Sequence, residues 1–535
     1  MANEKSRVQS TRRIFPATPS KNITRTKLSI VDATTARFTP CRGIWFFDGT
    51  RDFNAKNHAL FERMGLALSQ TLDDYPHFSG HLQFATADMV AGDINPRHIG
   101  RLVVNYGTED DPGLELAVVQ DDRELASVVP DRNERATTKK VWVTSDFPQD
   151  DFLASTAIAF SSLAEYVGLP GVAVQFTAFK CGGFAVSVKA AHCLADATSL
   201  LHFVRSWAAR SRQLFDADAL GAGGLKEKAL QKPIFKPAQL DEYARLSAPA
   251  NEPDMARISH ARSLPMHRYD WWAFDAPGYP SWAIPTTNVT KPPPEELRDV
   301  TLSPSTHAPW PTWDLSVPIE HVQIHFSARE VANMKRATGE TLPVQGQVAS
   351  RQDALLAHLW ILINRARRLQ DDTEQVYLNL TLGLRHRLSP PLPENFVGSP
   401  VLLTYITQTG STVATAKIGE MASSIRRTMS LFTPQAVSDY LYDAAHEVSP
   451  QRLWQAFLGT RHVLVTSWVR TKAWEIDFCG THQIPRYMQG VMPNVDGLLR
   501  VIDIAETGDF DVGLALEKGA MQRLLSDPLL RSFED

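Results

Sequence analysis

At 535 residues the chain is longer than one ordinary hydrophobic core accommodates, so two or three domains are expected. Hydrophobic residues at 43% and charged residues at 21% are those of a soluble globular protein, and a net charge of −4 gives no basis for nucleic acid or an acidic membrane surface as partner. Four scattered cysteines, Cys41, Cys181, Cys193 and Cys479, make neither a C-x-x-C pair nor a dense framework, which points to reduced thiols and a cytoplasmic setting.

Residues 1–27 are rich in Lys, Arg, Ser and Thr and lack an apolar run, so they read as a basic, disordered tail rather than a signal peptide. No stretch approaches the roughly 20 apolar residues of a membrane span. LSIVDAT and GIWFFDG follow as short strands. The segment from His58 to Asp74 carries the stripe Leu60, Met64, Leu68, Leu72 of an amphipathic helix, which Tyr75 and Pro76 end. LDDYPHFSGHLQF turns back into a strand, RLVVNYG and LELAVVQ are two more, and Leu153 to Val167 is expected to be helical.

VAVQFTAF and FAVSVKA form a hairpin across Lys180 to Gly183. In the second strand Phe184, Val186 and Val188 face one way, with Ser187 and Lys189 facing the other, the period of two of a half-buried strand. It delivers H-C-L-A-D-A, and a helix with the stripe Leu200, Leu201, Val204, Trp207, Ala208 begins at once. A histidine at a strand end is held by the sheet yet open to a cleft, and its pKa near neutrality lets it take a proton and return it. His192 is therefore the leading candidate for chemistry, with Asp196 one turn on.

The stretch from Pro249 to Pro318 holds 13 of the 34 prolines, which excludes long helices and central strands, together with five of the twelve tryptophans, which excludes a disordered linker. It reads as a crossover that wraps folded surface and can wall a pocket. The second half restarts with HVQIHF, a helix capped by Ser327 and Glu330, and a strong helix from Ser350 to Arg368. YLNLTLGL, PVLLTYITQT, HVLVTSW, LLRVIDI and DVGLALE are strands, with helices expected over 413–431, 435–447 and 519–525. The boundaries that follow are 28–225, a crossover over 226–318, and 319–535. Each half mixes a mainly antiparallel sheet with helices, an α+β plan without regular βαβ alternation.

Taken alone, H-x-x-x-D is a common coincidence, and a metal site on His192, Cys193 and Asp196 lacks further ligands at zinc-like spacing. Cys193 is a poor nucleophile, since a neighbour of the base points elsewhere. Serine-hydrolase, P-loop and dinucleotide-binding signatures are absent. The order YPHFSGHL, AHCLADATS, RHRLSPPLPENFVGSP, VTSWVRTKAWEIDFCGT carries more weight. It resembles the BAHD-type acyltransferases, in particular the fungal branch that includes trichothecene 3-O-acetyltransferase.

That resemblance implies two similar chloramphenicol-acetyltransferase-like domains with a tunnel at their interface, open at both ends. It implies His192 as the general base and Asp196 as a structural partner of Arg385 or Arg387. Asp477, Phe478 and Gly480 match the family's D-F-G-W-G, a stabilising segment away from the reacting atoms, although Cys479 replaces the first glycine and no tryptophan follows. Gly398-Ser399 stands where the family has G-N. Thr466 or Ser467 is the expected oxyanion donor. His77, His81, His202 and His386 are expected to be packing or surface residues. Acyl-coenzyme A is the implied co-substrate, with no resident cofactor or metal, a small secondary-metabolite acceptor, and a monomer. A condensation enzyme fed by a carrier protein is disfavoured, since Ala191 and Ala197 stand where H-H-x-x-x-D-G needs histidine and glycine. A non-catalytic relative is the alternative from another class.

Overall fold

Apolar runs put the chain into two mixed sheets in the computed structural model, which describes every residue except 1–5, 21, 51–57, 145–146, 220–230, 247–252, 345, 481–483 and 535. The first sheet runs in the order Ser6–Ile14, Leu114–Asp121, Val172–Phe179, Phe184–Ala190, Cys41–Phe47, Tyr487–Gly490. The second runs Val401–Thr409, Gln375–Gly383, His462–Ser467, Leu498–Ile504, Asp509–Glu517, Ile319–Phe326, Val141–Val143. Most neighbours are antiparallel. The parallel pairs are Leu114–Asp121 with Val172–Phe179, and His462–Ser467 with both Gln375–Gly383 and Leu498–Ile504. The α+β class with flanking helices is as expected.

Helices His58–Leu72 and Ala197–Ala219 close one face of the first sheet, where Phe61 and Trp207 stack on Phe176 with ring centroids 5.0 and 5.7 Å away. Arg351–Ala366, almost wholly buried, is the spine of the second core, and its start is the capping box of Ser350 and Asp353. Ser327 and Glu330 cap Ala328–Glu340 in the same way.

Several expectations are corrected. The basic tail contributes strands: Ser6–Ile14 pairs antiparallel with Leu114–Asp121, and Arg12 and Arg13 meet Glu62 and Glu115 at 3.4 and 2.9 Å. Polar composition is what a solvated edge strand needs, so composition alone misassigned it. Residues 1–5 and 21 lie outside the described residues. LSIVDAT is the helix Ile30–Thr35 rather than a strand, because Ser29 and Asp32 make a capping box. The helix expected over 413–431 breaks into Gly410–Thr415 and Ile418–Leu431.

Leu153 to Val167 is not helical. Its carbonyls at Ala154 and Thr156 instead accept Lys189 Nζ at 2.5 Å each. This segment covers the face of Phe184–Ala190 that was expected to be wet, so Ser187 is 1% exposed. Two short strands also cross the expected division at 226–318: Val141–Val143 joins the second sheet and Tyr487–Gly490 the first.

A second interlock runs through the D-F-C-G segment. Asp477 Oδ1 accepts the backbone N–H groups of Cys479 and Gly480 at 2.9 and 3.0 Å, which turns the chain so that Phe478 enters the first core. There its ring stands edge-on to Trp207 and Phe47 at 4.7 and 6.0 Å. Phe478→Ala is expected to cost about 3–5 kcal/mol. Urea unfolding measures it, and a loss under about 1 kcal/mol contradicts this packing role.

Candidate functional site

The strand Phe184–Ala190 ends where Ala191 N–H donates to the Gly171 carbonyl at 2.9 Å, and the tight turn that follows carries His192 into the gap between the two sheets. His192 is half-buried and lines a cavity of about 510 Å³. Phe38 and Arg42 come to it from the first half, Trp271 and Trp282 from the crossover, and Thr466 and Trp468 from the second half. The crossover thus does wall a pocket. Trp272 and Trp310 pack instead in an aromatic cluster behind it.

Three segments distant in sequence hold this turn. Asp196 accepts both ends of the Arg385 guanidinium, Nη1 to Oδ2 at 2.5 Å and Nη2 to Oδ1 at 3.0 Å, with both residues buried. Arg385 Nη2 also donates to Ser199 Oγ at 2.8 Å. Ser199 Oγ in turn donates to the Gly398 carbonyl, and Asp196 N–H donates to that same carbonyl at 3.1 Å. Gly398 has φ +153°, and a Cβ there would lie 3.1 Å from Asp32 Oδ1. Arg387 is elsewhere: its Nη1 donates to the Met429 and Phe432 carbonyls. Of the two arginines left open, Arg385 meets Asp196.

Ser399 completes the arrangement. Its backbone N–H donates to Asp32 Oδ1 at 2.6 Å, and its Oγ lies 2.9 Å from His192 Nδ1. Asp32 Oδ2 accepts Ser29 N–H and Oγ–H, and burial lifts the carboxyl to about 6 against those hydrogen bonds. The sequence reading missed Asp32 and Ser399 as site residues. The signal was present in S-I-V-D, a capping box misread as a strand. Phe38 stands edge-on to the imidazole at 5.2 Å.

Burial lowers the His192 pKa below its ordinary value, and the Asp196 charge pulls it partly back. The ring is therefore neutral at neutral pH, with the nitrogen opposite Ser399 unspent. Burial pushes the Cys193 thiol up, which keeps it protonated and unreactive. Thr466 lines the cavity. Ser467 does not, since its Oγ accepts Gln352 Nε2 at 3.0 Å. Asp477, Phe478 and Gly480 lie outside the cavity wall. His77 stacks on Phe235, His202 bonds Tyr75, His81 bonds the Asp110 carbonyl, and His386 is exposed.

Comparison with known proteins agrees with this geometry. The model of the Transferase family matches residues 5–91, 139–219 and 286–529. The acyltransferase AFT15-1 of Alternaria alternata is 24% identical over 490 residues, covering 89% of this chain and 88% of its own. The acyltransferase abl6 of Leptosphaeria maculans is 24% identical over 542 residues, covering 99% of both. Among solved structures, Fusarium TRI101 (F. graminearum) with coenzyme A and deoxynivalenol aligns over 94% of this chain and 98% of its own at TM-score 0.67 and 15% identity. Vinorine synthase aligns over 98% of both at TM-score 0.60 and 15% identity.

Removing one partner of a buried ion pair strands the other charge. Arg385→Ala is expected to destabilise by about 3–5 kcal/mol in chemical denaturation, and Asp196→Asn/Arg385→Gln to recover part of that loss. A single-variant cost below about 1 kcal/mol, or a double variant worse than the sum, contradicts the pairing.

Proposed function

We propose a mechanism on the premise that this chain belongs to the Transferase family, the BAHD-type acyltransferases, and moves acyl groups from coenzyme A to a small-molecule acceptor. His192 is the general base. The observation that carries this is the 2.9 Å contact of its Nδ1 with Ser399 Oγ, in a ring that faces the cavity. With Nδ1–H donating to Ser399, the Nε2 lone pair is directed at the substrates.

An acyl thioester is already activated, so the chain has to supply position, a base and an oxyanion donor. Holding the two reactants in one cavity makes the reaction effectively unimolecular, an effect worth about 7–11 kcal/mol at best. Nε2 takes the proton of an acceptor hydroxyl as its oxygen bonds to the thioester carbonyl carbon. The Thr466 hydroxyl is the donor for the tetrahedral oxyanion. The C–S bond then breaks, and the imidazolium returns the proton to the departing thiolate. Asp196 does not touch the reacting atoms; with Arg385 it fixes the turn. Asp477, Phe478 and Gly480 stabilise the join of the halves.

The acyl group is proposed to be acetyl and the acceptor a secondary metabolite, by analogy with the fungal relatives. Both cavity walls come from one chain, which supports a monomer. Among the described residues no helix is long and apolar enough to cross a membrane, and the four free cysteines support the expected cytoplasmic setting.

His192→Ala is expected to lower acetyl transfer by roughly 10²–10⁴-fold while circular dichroism stays native. Retention of most activity in a folded variant overturns the assignment. Ser399→Ala, which frees the ring without removing it, is expected to lose roughly 3–10-fold. In the native protein kcat/KM depends on neutral His192, so activity is held at and above neutrality and falls as pH drops through a midpoint below the ordinary 6.5. An acid limb centred above that value contradicts the burial argument.

A further inference from the structure

Strand register sets the cavity floor on the side of the second sheet. Leu380 stands beside Val465 and both belong to the second core, so the next residue of each strand, Thr381 and Thr466, turns to the opposite face. Both line the cavity, and both are half-buried. Thr381 is in turn the register partner of Leu403, and Thr466 that of Arg500. The row across the floor therefore runs Leu403, Thr381, Thr466, Arg500.

Within that row only the two threonines offer side-chain donors to the cavity. Arg500 gives Nη2 to the amide oxygens of Gln323 and Gln489 at 3.1 and 3.3 Å, and its Nε and Nη1 are shut inside the wall. Among the described residues no protein group takes up the hydroxyl of Thr381 or of Thr466, whereas that of Ser467, one step on and facing away, accepts Gln352 Nε2 at 3.0 Å. Leu403 beside them, with Leu464 and Leu498 two residues back on the same face, makes the surroundings apolar. Two idle hydroxyls on such a floor have water or a ligand as their partners, and a hydrogen bond made there is electrostatically stronger than one in bulk water.

Neighbouring strands lie about 4.8 Å apart, so two side-chain oxygens at matched positions are separated by about that distance. One oxygen atom set between them, about 1.4 Å above the joining line, is about 2.8 Å from both, the preferred O–H···O length. We propose that Thr381 is a second catalytic donor, whose hydroxyl together with that of Thr466 binds the carbonyl oxygen of the acyl thioester as it becomes the tetrahedral oxyanion. This deepens the acyl-transfer reading and rests on it. As the acceptor oxygen bonds to the carbonyl carbon and gives its proton to His192 Nε2, the carbonyl π pair moves onto that oxygen, where both hydroxyls donate. The pair then returns to re-form C=O, the C–S bond breaks, and the imidazolium protonates the thiolate. Adjacent strands hold the two donors where the charge develops, so no reorganisation is needed at the moment of reaction.

The test needs no acceptor. Calorimetry on the full chain compares two ligands: S-ethyl-coenzyme A, which has no carbonyl, and the trifluoromethyl ketone in which CH2 replaces the sulfur of acetyl-coenzyme A, hydrated in water to a tetrahedral gem-diol. The native protein is expected to bind the gem-diol more tightly. Thr381→Val, which keeps the shape, is expected to cut that preference roughly 5-fold, the worth of one hydrogen bond, while leaving the ethyl compound within about 2-fold. Thr381→Ser, which keeps the hydroxyl, is expected to restore it. Should Thr381→Val not fold, as judged by circular dichroism, Thr381→Ala carries the same comparison.

A preference that survives Thr381→Val but falls in Thr466→Val overturns the proposal and leaves Thr466 as the donor. Equal weakening of both ligands by Thr381→Val also overturns it, since a residue that only packs the floor acts on both. A fall confined to Thr381→Val removes Thr466 and with it the two-donor site. No preference in the native protein, or one indifferent to both substitutions, sinks the oxyanion site altogether. Failure of the acyl-transfer reading itself is recognised separately, because neither ligand then binds the native protein saturably.

Discussion

The buried pair of Asp196 and Arg385 is the constraint on which the rest depends. It ties the turn after the strand Phe184–Ala190 to a loop nearly two hundred residues later, and through Ser199 it fixes the Gly398 carbonyl between them. Only with that loop in place can Ser399 reach His192 Nδ1, and only the N–H bond to Asp32 sets where Ser399 stands. Four stretches of chain thus converge on one imidazole. None of them would hold it alone, because a single turn of backbone leaves a histidine ring free to rotate.

The same interlocking explains the cavity. Tyr487–Gly490 extends the first sheet, Val141–Val143 extends the second, and Phe478 enters the first core from the second half. The halves are therefore held across the gap from several sides, and the space between them persists as a cavity instead of collapsing. Its wall joins apolar rings to a half-buried base, a mixture that favours neither folding nor packing. Binding and catalysis are where such a mixture finds its use.

Much of the plan was legible in the sequence because the signals were local. The hairpin over 172–190, the turn bearing His192 and Asp196, the capped helices at Ser327 and Ser350, and the aromatic crossover all follow from spacing and residue type. What was not legible depended on long-range partners. Arg385 and Arg387 are two residues apart and chemically equal, and only the fold turns one to Asp196 and the other to helix-end carbonyls. Ser467 and Thr466 likewise differ by which face of a strand meets the cavity. The edge strand Ser6–Ile14 has the composition of a tail, and Leu153 to Val167 gives up helical bonds to serve Lys189. Asp32 was hidden by reading a capping box as a strand.

The most direct check is a crystal structure of the full chain with coenzyme A bound. The account predicts the coenzyme's sulfur in the cavity within about 4 Å of His192 Nε2, close to a near-attack distance, with Ser399 still on Nδ1. Coenzyme A seated with its thiol away from that nitrogen, or an imidazole turned so that Nε2 meets Ser399, would contradict it.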